Sequence, residues 1–152
     1  MIFKKQLIAA TLCAAAMLPA PATAKHVVVP KVYMFGFSAS FNDTIVHFTE
    51  IQTVENVWMD NKTHFLLGRE NYSNMLRDYL AQQQMPQRTC IVIFDENLKK
   101  LQKKFLKMKK LYTKARGKKV KNHNDVRTIA TDDFKFKAID MGYNEEEETS
   151  GN

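Results

Sequence analysis

The chain has 152 residues, of which 45% are hydrophobic and 26% charged, with a formal net charge of +7. That is one domain's worth, with enough apolar material for a core that closes without staples. Of its two cysteines one falls in a leader-like segment, which excludes an intramolecular disulfide in the processed chain, and five scattered glycines exclude a phosphate-cradling loop.

Residues 1–24 read as a secretory signal. Lys4 and Lys5 form a positive n-region, Leu7 to Leu18 an apolar h-region, and Ala22-Thr23-Ala24 a small-x-small cleavage site. Cleavage after Ala24 leaves 128 residues and lowers the net charge to +5. The apolar stretch is shorter than the roughly 20 residues a membrane span needs, and Pro19 and Pro21 interrupt it. Cys13 follows Ala10-Thr11-Leu12 rather than the Leu-small-small pattern of a lipoprotein site, so no lipid anchor is expected. The processed protein is assigned to the periplasm or the exterior, with one domain over 25–140 and a disordered acidic tail over 141–152.

Lys25 to Lys31 reads as an arm whose Val27-Val28-Val29 lies on a sheet edge before Pro30. Val32 to Phe37 is an aromatic-rich strand, Phe41-Asn42-Asp43-Thr44 a turn, and Ile45 to Ile51 a second strand paired with the first. Thr53 to Gly68 mixes Trp58, Phe65, Leu66 and Leu67 with Asp60-Asn61-Lys62 and predicts an ordered connection with one or two core anchors. A helix follows over Arg69 to Gln84, with Tyr72, Leu76, Tyr79 and Leu80 on one face and Pro86 marking its end.

Thr89 to Phe94 is apolar without alternation and β-branched at Ile91, Val92 and Ile93, the pattern of a central strand covered on both faces. Cys90, inside it, reads as core filler. Asp95 is the expected N-cap of a second helix, in which Leu98, Leu101, Phe105, Met108 and Tyr112 recur at steps of three and four. Lys99, Lys100, Lys103, Lys104, Lys107 and Lys110 fall on the opposite side, Lys109 near the border, and Leu106 stands alone among lysines. Gly117 is the expected stop. Beyond a polar loop over 122–125, Val126 to Ala130 predicts a strand, and Phe134 to Ile139 alternates like an edge strand with one solvated face. The order β-β-α-β-α-β(β) predicts an α/β protein of the α+β two-layer type: a four- to five-stranded mixed sheet, two helices on one face, and a right-handed parallel connection over 89–130.

Little in the chain points to catalysis. Gly36-Phe37-Ser38-Ala39-Ser40 lacks the second glycine of a nucleophile elbow and leads into a turn rather than a helix. His26, His47, His64 and His123 share no metal-ligand spacing, so neither a metal nor a cofactor is expected. Asp132-Asp133 sits at a strand boundary, where a turn explains it. Asn42, Asn61 and Asn71 match the N-glycosylation pattern, and Asp43-Thr44-Ile45 resembles an O-glycan acceptor of exported Bacteroidetes-type proteins.

The run Lys31 to Asp43, Phe48-Thr49-Glu50-Ile51-Gln52, Met85 to Cys90 and Phe134-Lys135-Phe136-Lys137 resemble small exported proteins of gut Bacteroidales. The resemblance implies export and a single domain, and no particular chemistry.

Two functional classes follow. One is a non-enzymatic envelope protein whose basic helix contacts an anionic envelope component or an acidic protein surface; export argues against nucleic acid. Lys99 to Lys121 holds twelve basic residues and no acidic one, a pattern that attracts polyanions in a salt-dependent way. The competing explanation is that the lysines only solvate a packed helix. The other class is an enzyme with a dispersed hydrolase-like site around Ser38, Asp43 and His47. Glu145 to Glu148 carry the opposite charge to Lys99–Lys110, and a fold-back of the tail onto that face is a further expectation.

Overall fold

The computed structural model describes residues 25–114 and 124–142. The signal segment, the Gly117 stop and the acidic tail with its fold-back lie outside the described residues. The 14-residue strand β1 (His26–Ala39) is the axis of a five-stranded mixed sheet. Three strands pair with it antiparallel. They are β2 (Ile45–Thr49) at Phe37 and Ser38, β3 (Gln52–Asp60) from His26 to Met34, and β4 (Thr89–Asp95) from Tyr33 to Ala39. The β4 ladder overlaps both of the others along β1, so β2 and β3 share the opposite edge. Strand β5 (Asp125–Ile129) then adds to β2 in parallel. The five strands and two helices, α1 (Arg69–Gln82) and α2 (Leu98–Thr113), make the α+β class that the sequence predicts.

Strand β3 occupies most of the stretch expected to be a connection, and the reason lies in its pleat. Val54 points inward, yet so do Val57 and Met59, three and five residues on. In β1 the inward set likewise passes from Val29 to Val32 and Met34. Both alternations change phase where Pro30 stands opposite Asn56. Proline has no N–H to donate to the ladder, and Asn56 adopts a left-handed φ of 54°. A strict period-two reading therefore finds no strand there.

Among the described residues each face of the sheet carries one helix, which corrects the expectation that both helices lie on one face. Tyr72, Leu76 and Leu80 of α1 pack on Val32, Met34 and Val92, whereas Leu101 of α2 packs with Phe35, Phe37 and Phe48. Adjacent residues of β1 thus serve opposite cores, as the pleat requires. Strands β3 and β4 both oppose β1 and so run parallel to each other; the same holds for β4 and β5. The α1 connection crosses the sheet from β3 to β4, and the α2 connection crosses back. Parallel crossovers of one hand that run in opposite directions leave their helices on opposite faces.

Coverage on both sides explains the unbroken apolar run of β4, although among the described residues β4 pairs only with β1 and the central strand is β1. The expected edge strand over Phe134 to Ile139 is instead an extended strap across the α1 face. Its alternation is real, with Phe134 and Phe136 buried and Lys135 and Lys137 exposed. In place of a ladder, the buried Gln52 amide donates to the Phe134 carbonyl at 2.8 Å and accepts the Phe136 N–H at 2.9 Å. The Tyr72 hydroxyl accepts the Ile139 N–H at 3.2 Å.

Candidate polyanion-binding face

Helix α2 begins at Asn97, whose side chain accepts the Lys100 N–H at 3.1 Å. Asp95, the expected cap, lies two residues too early. One of its carboxylate oxygens accepts the Asn97 N–H at 2.9 Å and the other pairs with Lys104 at 2.9 Å. Together with the salt bridge these bonds hold the carboxyl below the usual carboxylate range against the opposing effect of partial burial. The seam sits where its spacing predicts from Leu101 to Tyr112, but Leu98, its expected first member, is 36% exposed. Leu101 is fully buried, the Phe105 ring meets Phe35 edge-on at 5.0 Å, and Tyr112 lies 4.8 Å from Phe37. Full burial of Leu101 contributes roughly 1.5–3 kcal/mol, and with the partly buried Phe105 and Tyr112 it fixes the rotation of the helix and hence the direction of its polar side.

Lys99, Lys100, Lys103, Lys104, Lys107 and Lys110 are all exposed on that polar side. Among the described residues Lys104 alone of the six forms an ion pair, leaving the other five without a carboxylate in salt-bridge range. Lys109, at the border, donates to Thr128 Oγ1 at 3.3 Å and places its ammonium 5.5 Å from the Phe105 ring centre. Its stem thus covers apolar surface while its charge reaches outward. Leu106 is 65% exposed and Leu111 58%. Lys104, Lys107, Met108, Lys110, Leu111 and Lys114 line an open groove of about 520 Å³. The arrangement holds positive charge at fixed spacing along one helix.

The structure does bring Ser38, Asp43 and His47 together, around a residue the sequence did not single out. Ser38 and His47 are register partners across β1 and β2. Arg88, just before β4, donates from Nε to Ser38 Oγ at 3.1 Å, from Nη1 to Asp43 Oδ2 at 2.8 Å, and from Nη2 to the Ile45 carbonyl. The clamp does not have the connectivity of a catalytic triad. Asp43 is engaged by Arg88 rather than by His47, Ser38 Oγ accepts from the guanidinium, and His47 Nδ1 is buried without a hydrogen-bond partner among the described residues. Ser38, His47 and Arg88 are 0%, 3% and 5% exposed, too little for a substrate to reach them.

The electrostatics fit a structural clamp. The Arg88 hydrogen bond is the main influence holding the Asp43 carboxyl below its ordinary value. Burial first, then the Arg88 and Arg127 charges, push the His47 imidazole down, so it stays neutral near neutral pH. Burial pushes the Cys90 thiol up, which disfavours the reactive thiolate and suits a packing role. Arg88 escaped detection because its partners lie 43 to 50 residues away. The one local sign is a charge directly before an apolar strand.

Among the described residues no three His, Cys, Asp or Glu side chains converge as metal ligands, and no helix is long and apolar enough to cross a membrane. Thr44 and Asn42 are exposed in the β1–β2 turn, as are Asn61 and Asn71 elsewhere. Comparison of the chain with protein-family models, with curated proteins and with solved structures finds no match.

Proposed function

We propose that this chain is an exported, non-enzymatic binding protein whose α2 face engages an anionic partner in the cell envelope. The observation that carries the reading is the group of five exposed lysines, Lys99, Lys100, Lys103, Lys107 and Lys110, with no carboxylate partner among the described residues. A face that only solvated the helix would work equally well with interspersed acids, which would give i,i+4 pairs and a smaller field. Here like charges stand three and four residues apart, at a cost of a few tenths of a kcal/mol per pair. An approaching polyanion relieves that repulsion, and salt screens the attraction over about 8 Å at physiological ionic strength. Export rests on the leader-like segment and on the resemblance to exported proteins.

The test is salt elution from heparin-agarose of the chain from Lys25 onward, which holds every strand and helix described. The K103E/K107E/K110E variant should elute at markedly lower salt. Its thermal midpoint should stay within about 2 °C of wild type, because all three residues are exposed and away from the packing seam. Identical elution of the two proteins would sink the proposal.

A further inference from the structure

We infer that the partner is the surface of an anionic lipid bilayer, with the Leu111 side of α2 turned toward it. The inference rests on the polyanion reading and adds the apolar component that the charge alone leaves unexplained. Leu111 is 58% exposed and lines the groove with Met108, Lys104, Lys107, Lys110 and Lys114. At 100° per residue Leu111 lies between Lys104 and Lys100, next to Met108 and away from Leu106.

A densely charged soluble polyanion such as heparin offers little apolar surface to an exposed leucine. A bilayer surface has two layers in the right order. Acyl carbon lies beneath the headgroups, where Leu111 and the lysine stems can be buried, and phosphates lie at the depth that extended ammonium groups reach. The α2 axis would lie along the surface, because Lys104 to Lys114 span ten residues, a rise of about 15 Å, which covers more than one headgroup. No described helix is fit to span the membrane, so the contact is peripheral. Its strength then comes from lysines near negative lipid, about fivefold in affinity each, and from one buried leucine, about tenfold.

The experiment is co-sedimentation of the chain from Lys25 onward with vesicles of phosphatidylcholine alone and with 30% phosphatidylglycerol, beside heparin-agarose elution of the same proteins. Wild type should bind the phosphatidylglycerol vesicles and not the neutral ones. K107E/K110E/K114E should lose about 100-fold or more, L111S about tenfold, and L106S less than twofold. L111S should leave heparin elution unchanged. Wild-type vesicle binding by L111S, or no vesicle binding by wild type, overturns the lipid inference. If lysine-dependent heparin elution persists in that case, the polyanion reading survives. Capture of the protein by poly-glutamate but not by vesicles would assign the face to an acidic polypeptide instead. A lysine variant that behaves as wild type in both assays removes both readings.

Discussion

Gly36 lies toward the C-terminal end of β1 with Leu76 of α1 directly above it, and a methyl group there should report on how the helix meets the sheet. A Cβ at this position would stand 2.5 Å from Leu76 Cδ2 and 3.2 Å from both the Phe136 ring and the Thr49 methyl. Ordinary contact begins near 3.4 Å, so Leu76 must retreat by about 0.9 Å. It has little room, being fully buried beside Tyr72 and Leu80. Overpacking of this kind costs about 1–3 kcal/mol, and the stiffer unfolded chain of an alanine variant returns about 0.4–1 kcal/mol. Gly36→Ala should therefore lose about 1–2 kcal/mol in urea unfolding followed by circular dichroism. Leu76→Val removes the colliding carbon, so the double variant should be less destabilised than the sum of the single variants by about 1 kcal/mol. Leu101→Ala, on the helix of the other face, should add to Gly36→Ala within about 0.5 kcal/mol. Additivity with Leu76, or coupling with Leu101, would refute the assignment of the two helices to opposite faces.

Arg88→Met removes all three clamp bonds and leaves the Ser38 hydroxyl and Ile45 carbonyl without their donor, so unfolding measurements should show a loss of about 2–4 kcal/mol; a loss under 1 kcal/mol would mean that the clamp is not structural. His47 carries a pH signature: below its ordinary 6.5 the unfolded chain takes up a proton that the buried imidazole of the folded chain, facing Arg88 and Arg127, resists. Stability should thus fall on acidification from about pH 6.5 until the folded His47 itself titrates, and His47→Asn should flatten that limb of a thermal-midpoint profile from pH 7.5 to 5; parallel profiles would contradict it. Gln52→Ala frees the strap and should cost about 2 kcal/mol of local stability, which speeds tryptic cleavage at Lys135 and Lys137 about thirtyfold; a change under threefold would show that the strap is held by other contacts.

The chain is legible where a residue's neighbours in sequence are also its neighbours in space. The α2 stripe and its lysine side follow from 100° steps alone, as do the α1 face of Tyr72, Leu76 and Leu80. The burial alternation of Phe134 and Phe136 was equally legible, but the element was not, since a side-chain amide 82 and 84 residues away takes the place of a strand. Strand β3 stayed hidden because its pleat changes phase opposite a proline. Asn97 displaced Asp95 as the cap because Asp95 belongs to the last position of β4, where its carboxylate serves Lys104.

For the candidate site, local order determined that one side of α2 would be cationic and the other apolar, because helix periodicity is a property of the backbone and needs no partner. Only the tertiary structure decided that the lysines stand clear of described carboxylates, Lys104 excepted, that Leu111 lies open among them, and that Ser38, Asp43 and His47 converge on Arg88 in a closed clamp. Those outcomes depend on strand order, which is set by ladders and crossovers between distant segments, and no local pattern of residue types encodes it.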